Sequence, residues 1–467
     1  MQHAPQLPPG GAPWPAPAAD GPVRAVLRVS GSKSMTNRAL ILAALADAPT
    51  LITDPLQARD TMLMAAAVRA LCGSLQTGRD AWLFRPAAMD HGARIDVGNA
   101  GTVMRFVPPV APLAAGDVAF SGDPRASQRP VGPLIGALRA LGADVEDGGR
   151  GAVPFTVRGT GRLGGGPVTL NASASSQLVS GLLLAGCRYD KGVEVRHQGP
   201  PVPSAPHIAM TVGMLRDAGA EVEEHGGAGP AGSRPDAWLV HPGPLRPGRI
   251  MIEPDLVNSA PFLAAALVTG GTVTIAGWPA RTRQPAGHIT DLLTRMGAAC
   301  TAGAGGLTVT GTGTVTGVTA DLRDCNELAP VLTAVAALAS SPSVFTGIGH
   351  MRAHETDRLA ALAAQVNALG GQVTELADGL EIRPRPLAAG SGVFDSHDDH
   401  RMVMTAAVLG LAVPGIRVRN AGTVAKTFPD FTALWAQMLG RETGIFPNGY
   451  AAGPAPQGAD VAPERPS

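Results

Sequence analysis

The sequence predicts an α/β (α+β) chain folded into two similar lobes, each built from three repeat units. Three features carry that reading. A short polar cluster opens a helix of small aliphatic residues six times along the chain. An amphipathic helix that stops at glycine keeps the same period, and short strands rich in Val and Thr separate the two. The openings fall roughly 70 to 85 residues apart, which marks an internal repeat.

In chain order the openings are Ser32–Ser34, Asn99–Thr102, Ser173–Gln177, Asn258–Ala260, Cys325–Glu327 and His397–Arg401. Ser, Asn and Asp at such places accept hydrogen bonds from the free N–H groups of a first helical turn. Helices of Ala, Leu and Val are expected next, as at 38–46, 178–185 and 331–339. The second helix, its terminal glycine and the start of a strand are read at Ala137–Val145, Met214–Val222, Leu292–Cys300 and Val366–Val373. Glycine there supplies the left-handed turn that ends a helix. Gly271–Ile275 typifies the strands. The third repeat ends near Arg249–Pro254. Residues 33–253 are therefore expected as one lobe, inserted into a second made of 22–32 and 254–445. The Pro/Ala/Gly-rich ends, 1–21 and 446–467, read as disordered tails.

Composition narrows the function. The chain of 467 residues has a formal net charge of +0, which gives no bulk attraction to nucleic acid or to an anionic membrane. Hydrophobic residues make up 45% but aromatics only 4%, so the cores must be built from small aliphatic side chains at close approach. The four cysteines, Cys72, Cys187, Cys300 and Cys325, form no Cys-x-x-Cys pair. Neither a zinc site nor a disulfide scaffold is expected, and no metal. Buried reduced thiols in a cytoplasmic protein are the expectation. The first 20 residues lack the basic start and apolar stretch of a signal peptide, and no membrane span is expected.

An anion site must then be local. Helices that point the same way within each lobe would bring six N-termini to one cleft between the lobes. N-capping explains the Ser, Asn and Asp at the openings but not the accompanying Lys33, Arg38, His400 and Arg401. Lysine usage singles out two positions as well: the chain holds three lysines against 34 arginines. Lys191 lies in a Tyr-Asp-Lys-Gly turn, whereas Lys33 and Lys426 sit among polar motifs. A lysine ammonium binds phosphate as a point charge and can pass a proton.

Seven motifs appear in one order on this frame: Gly31–Arg38, Asn99–Thr102, Gly122–Pro130, Ser175–Gln177, His354–Arg358, Asp399–Arg401 and Lys426–Asp430. Together they resemble the EPSP synthase family, the 3-phosphoshikimate 1-carboxyvinyltransferases of the shikimate pathway, from about Pro22 to Leu439. The resemblance implies three βαβαββ units per lobe, closing on the substrates. It implies transfer of the enolpyruvyl group of phosphoenolpyruvate to the 5-hydroxyl of shikimate-3-phosphate, on the route to chorismate and the aromatic amino acids. Phosphate and 5-enolpyruvylshikimate-3-phosphate are the products. It further implies small-molecule partners only, no cofactor and a monomer.

By the same resemblance, shikimate-3-phosphate is held by Lys33, Ser34, Arg38, Ser175, Ser176, Gln177, Ser204, Glu327, His350 and His354. Phosphoenolpyruvate is held by Lys33, Gly101, Arg129, Gln177, Arg358, Arg401 and Lys426. Glycine at 101 lets the backbone approach a ligand, and it leaves room for the phosphoenolpyruvate mimic glyphosate. The reaction must take a proton from the 5-hydroxyl and put one on the methylene carbon. Glu327 fits the base position, with Asp321 and Asp324 as rivals; Glu355 fits the carbon acid, with Lys33 able to share that role. Acting as an acid near neutral pH requires Glu355 to have a raised pKa.

Four residues depart from the common pattern of the family: His354 stands for lysine, His350 for asparagine, His207 for an aromatic and Phe106 for proline. Three rival readings are weaker. A UDP-N-acetylglucosamine enolpyruvyltransferase needs a cysteine in the loop 121–129, which has none. A non-catalytic descendant of the fold would have lost its acid–base residues, yet Lys33, Glu327, Glu355 and Lys426 are present. A phosphate-binding kinase would need a P-loop, and the glycine spacing before Lys33 is wrong for one.

Overall fold

The computed structural model describes residues 12–226, 234–285, 287–390 and 392–441. Its helices alternate in type. Those that follow the polar openings are α1 (Lys33–Ala44), α3 (Gly101–Phe106), α5 (Gln177–Gly186), α7 (Ala260–Thr269), α9 (Ala329–Ala337) and α11 (His400–Ala412). Those between them are α2 (Arg59–Cys72), α4 (Gly132–Ala140), α6 (Ala205–Asp217), α8 (Gly287–Arg295), α10 (Arg358–Ala368) and α12 (Phe431–Met438). The first set is apolar around most of its circumference; every residue of α9 is buried. Such helices belong inside a lobe. Small side chains let α11 lie against both α7 and α9. The second set is more one-sided: α8 buries only Ile289, Leu292 and Leu293.

One unit shows how the sheets form. The strand Ala93–Asp96 leads through α3 to Asp117–Ser121, which pairs with it in parallel. After α4, Asp144–Glu146 and Phe155–Arg158 turn back antiparallel, giving the sheet order first, second, fourth, third strand. This βαβαββ order repeats in four other four-stranded sheets. In two of them the first strand comes from elsewhere in the chain. Arg249–Met251 supplies it beside Thr50–Thr53, and Arg24–Leu27 supplies it beside Thr272–Ile275.

The chain therefore crosses between lobes twice, side by side. Gly31 bridges Pro254, Ser32 N–H donates to the Glu253 carbonyl at 2.8 Å, and Asp255 N–H donates to Ser30 at 2.8 Å. A β-carbon on Gly31 would stand 2.1 Å from the Asp54 carbonyl oxygen, so this crossing requires glycine. Two hydrophobic cores result. One runs from Met35 to Ile252; the other joins Ala16–Val29 to residues between Val257 and Met438.

The sixth sheet corrects the expectation that residues 1–21 form a disordered tail. Phe394–Asp395 and Arg417–Arg419 pair in parallel, and Trp14–Pro15 adds antiparallel to the second of them. Ala16 N–H donates to Ile416 at 2.9 Å, Ala19 N–H to Leu411 at 3.1 Å, and Ala16 is buried. Among the described residues no closing hairpin follows Arg417–Arg419, so the N-terminal segment covers an edge that would otherwise stay open. Residues 1–11 and the second expected tail, 446–467, lie outside the described residues, as does the expected lobe end at 442–445. No helix among the described residues is long and apolar enough to cross a membrane.

Candidate active site

The N-termini of the inner helices meet where the lobes face each other. Lys33, Gly101 and Gln177 are the first residues of α1, α3 and α5. Opposite them stand Asn326–Leu328, a turn leading into α9, and the start of α11, capped by the Asp399 side chain. A narrow crevice lies between, lined by Lys33, Ser34 and His207 from one lobe and Asp255, Glu327 and Arg401 from the other. The lobes touch on both flanks. Lys426 Nζ donates to the Asn99 carbonyl at 3.2 Å, and Arg125 Nε donates to the Glu355 carbonyl at 3.1 Å. Ser204 N–H donates to the Arg323 carbonyl at 2.9 Å, while the Asn326 amide meets the Ser204 hydroxyl.

Around Gly101 two guanidinium groups crowd together. Arg129 Nη1 donates to the Asn99 carbonyl and side-chain oxygens at 2.8 and 2.9 Å. Arg105 Nη1 donates to the Gly101 carbonyl at 3.2 Å and to Gln177 Oε1 at 3.4 Å. Both side chains are buried, and the Nε of each has no partner. Burial, reinforced by the charge of Arg129, pushes Arg105 down to about 9. Two like charges with unmet donors suit an incoming anion. The sequence reading did not single out Arg105. Its signal was the spacing from Gly101, four residues on and so on the same face of α3.

In the other lobe the charges are interlocked. Arg358 holds both oxygens of Asp399, through Nε at 2.7 Å and Nη2 at 3.1 Å, and Nη2 also reaches Glu355 Oε2 at 2.9 Å. Lys426 Nζ lies 3.4 Å from Glu355 Oε1. Arg401 Nη2 holds Glu327 Oε2 at 3.0 Å, leaving its buried Nε and Nη1 without partners. Burial works against ionising Glu327, but Arg401, His207, Lys33 and Arg358 together hold it at about 2.

Glu355 contradicts the expectation of a raised pKa. Burial alone would raise it, yet Lys426, Arg358 and Arg129 hold it well below the carboxylate range. It is an ion among cations. The rival bases separate as well. Asp321 accepts from Arg323 N–H at 2.8 Å and Asp324 pairs with Arg234, whereas Glu327 lines the crevice with Lys33 and Arg401.

The remaining predicted ligands are spread around the crevice. Ser175 Oγ accepts from Gln177 N–H at 3.2 Å, with Ser176 buried at the cap of α5. Lys33 Nζ stands 3.6 Å from the buried carboxylate of Asp60, a partner that sequence reasoning did not identify. Ser204 occupies the left-handed region at φ 53 at the lobe boundary, and His350 meets His354 edge-on with ring centroids 5.5 Å apart. Arg38 stands behind the crevice, 1% exposed. Its donors go to Thr211 Oγ1 at 2.7 Å and to the carbonyls of Ser34 and His207 at 2.9 and 3.1 Å. Its guanidinium lies 5.0 Å from the Phe106 ring, which gives that unusual residue a cation–π role. Burial pushes His207 and His350 down to about 4. One potential metal set exists among the described residues, Glu221, Glu223 and His241, with ligand atoms within 4.8 Å of one another; none of them lines the crevice.

Residues 17–435 match the family model of EPSP synthase, described as 3-phosphoshikimate 1-carboxyvinyltransferase. The chain belongs to the EPSP synthase family. It is 48% identical over 444 residues to a 3-phosphoshikimate 1-carboxyvinyltransferase of Kocuria rhizophila, covering 92% of this chain and 97% of that one. An EPSP synthase structure from Acinetobacter baumannii superposes with a TM-score of 0.73 at 26% identity, over 91% of this chain and 97% of its own. The enolpyruvyl transferase NikO from Streptomyces tendae shares the fold, with a TM-score of 0.69 at 19% identity over 92% and 98% of the two chains. The α/β, two-lobed family fold read from the six repeats is thus the observed one.

Proposed function

We propose that this protein transfers the enolpyruvyl group of phosphoenolpyruvate to the 5-hydroxyl of shikimate-3-phosphate, with release of phosphate, using the residues gathered between its lobes. One observation carries the assignment of roles. Two ionised carboxylates, Glu327 and Glu355, belong to one cluster of charges with buried cations whose donors are incompletely met, above all Arg105, Arg129 and Arg401. Such a site is matched to reactants that bring two phosphates and two carboxylates.

Glu327, ionised and fixed by Arg401, takes the proton of the 5-hydroxyl as its oxygen bonds to carbon 2 of phosphoenolpyruvate. Carbon 3 gains a proton in that step. Loss of phosphate, with return of a proton from carbon 3, restores the double bond. Glu355 serves carbon 3. Free, it is a carboxylate because of Lys426, Arg358 and Arg129. Bound substrate anions offset those charges and raise its proton affinity, so the acid is formed by loading the site. Lys33, next to the crevice on α1, is shared between the substrates.

Arg105, Arg129, Gly101 and Gln177 hold the phosphoenolpyruvate end with Arg401 and Lys426, and Arg358 sets the position of Glu355. Ser34, Ser175, Ser176, Ser204, His350 and His354 take shikimate-3-phosphate. Arg38 stiffens the wall behind them. The reading extends to a monomer in the cytoplasm; for the compartment its support is the four free cysteines, of which three are buried. Incubation of the purified protein with shikimate-3-phosphate and phosphoenolpyruvate is expected to release inorganic phosphate only when both are present. Release no faster than either single-substrate blank overturns the assignment.

A further inference from the structure

His354 lies between the turn Gly349–Ala353 and α10, four residues before Arg358. Its Nδ1 stands 3.1 Å from Arg358 Nη1. A guanidinium has donors and no acceptor, so this hydrogen bond has one possible sense. Arg358 donates and Nδ1 accepts. Arg358 has no freedom to turn away, because Asp399 takes its Nε and Nη2 at 2.7 and 3.1 Å and both residues are buried. A ring nitrogen that accepts from a fixed cation carries no proton. The imidazole proton is then on Nε2, for which no protein partner exists among the described residues.

We propose that Arg358 locks His354 as its neutral Nε2–H tautomer, so that His354 serves shikimate-3-phosphate as an uncharged hydrogen-bond donor and not as a cation. The identity of the acceptor rests on the proposed function; the tautomer does not. The groups around the ring agree. Arg358 on α10 and Arg129 from the opposite lobe are cations, and His350 is kept neutral by burial. Arg125 Nη2 donates to the His354 carbonyl at 3.4 Å. Glu355 is the one facing anion, and Lys426 and Arg358 already engage it. Burial and the Arg358 charge keep the ring from protonating at ordinary pH. Affinity for shikimate-3-phosphate therefore carries no histidine titration from this position.

Two measurements on the full chain test the lock. Two-bond proton–nitrogen correlation spectra of protein labelled with ¹⁵N-histidine are recorded from about pH 5.5 to 8.5, spanning the ordinary histidine range. The His354 signals are those missing in His354→Gln. Nε2 is expected protonated and Nδ1 bare across the range. A proton on Nδ1, or a titration inside it, overturns the proposal. Calorimetry with shikimate-3-phosphate supplies the second readout. Asparagine places its amide near Nδ1 and glutamine near Nε2. His354→Asn is expected to bind about fivefold more weakly, the loss of one neutral hydrogen bond, and His354→Gln to recover most of that loss. Equal losses in the two variants, or a parent affinity that strengthens toward acid while His354→Gln does not, overturn it. A parent protein that fails to bind shikimate-3-phosphate counts against the proposed function, and the spectra still decide the tautomer.

Discussion

Replacing Gly101 with alanine puts a methyl group 2.8 Å from Arg129 Nη2, 3.0 Å from Arg105 Nη1 and 3.1 Å from Gln177 Oε1. All three neighbours are side-chain ends, so the backbone is spared and the fold should survive. The arginines are not free to retreat, however. Arg129 is tied to Asn99 at 2.8 and 2.9 Å, and Arg105 to the Gly101 carbonyl at 3.2 Å. Displacing Arg129 forfeits one charge-assisted contact to the incoming anion, worth about 1.5–3 kcal/mol. The KM for phosphoenolpyruvate should therefore rise by about 10- to 150-fold. Shikimate-3-phosphate, whose proposed ligands do not include these arginines, should keep its affinity within about threefold. Initial-rate phosphate release at saturating shikimate-3-phosphate gives the first quantity and calorimetry the second. Gly136→Ala in α4 is the control, since its β-carbon meets nothing within 4 Å; it should leave both unchanged. A Gly101→Ala enzyme whose KM for phosphoenolpyruvate stays within twofold of the parent would refute the placement of these arginines.

Glu327→Gln should lower kcat by about 10²- to 10⁴-fold, the usual contribution of a general base, while shikimate-3-phosphate still binds; normal turnover moves the base elsewhere. The same variant tests the electrostatics, because Glu327 is held at about 2 against an ordinary 4.5. A depressed carboxylate stabilises the fold fully above its unfolded pKa and loses that contribution as pH falls toward the folded one. The stability lost by the parent between about pH 5 and pH 2 should be smaller in Glu327→Gln, as read by denaturant melts. Asp399→Asn removes the carboxylate that takes two Arg358 donors and leaves Glu355 as its remaining anion, and should destabilise the protein by about 1.5–3 kcal/mol; an unchanged melt shows that Arg358 can rearrange. Deleting residues 1–16 removes the Trp14–Val418 pairing and exposes the edge at Arg417–Arg419. A loss of about 2 kcal/mol in stability is expected, of the order of one large side chain unburied; an unaltered melting curve dismisses the strand as an ornament.

The repeat was legible because it is local. Ser32, Asn99, Ser175 and Asp399 sit at helix starts, where polar caps and small aliphatic runs leave a mark in the sequence, and Lys33 and Lys426 stood out by their rarity. What escaped the sequence was pairwise and distant. Arg358 and Asp399 are 41 positions apart, and Lys33 and Asp60 are 27 apart, so no local pattern joins them. The Trp14 strand was hidden by its composition, since a Pro/Ala-rich segment looks like a tail until an open sheet edge is found beside it. Glu355 was misjudged for a related reason. Its motif names the residue but not the balance of charges, and three cations outweigh burial. That balance also explains why the free site contains carboxylates at all. Buried cations alone would repel one another across a few ångströms, as Arg105 and Arg129 do around Gly101. Glu327, Glu355 and Asp399 hold Arg401, Lys426 and Arg358 in place until the substrates bring their own anions. Asp399 has both oxygens committed to Arg358 and is buried completely, so it remains structural after loading. On the proposed assignment Glu327 and Glu355 are the two whose partners the substrates can compete for, and theirs is the proton affinity expected to change on binding.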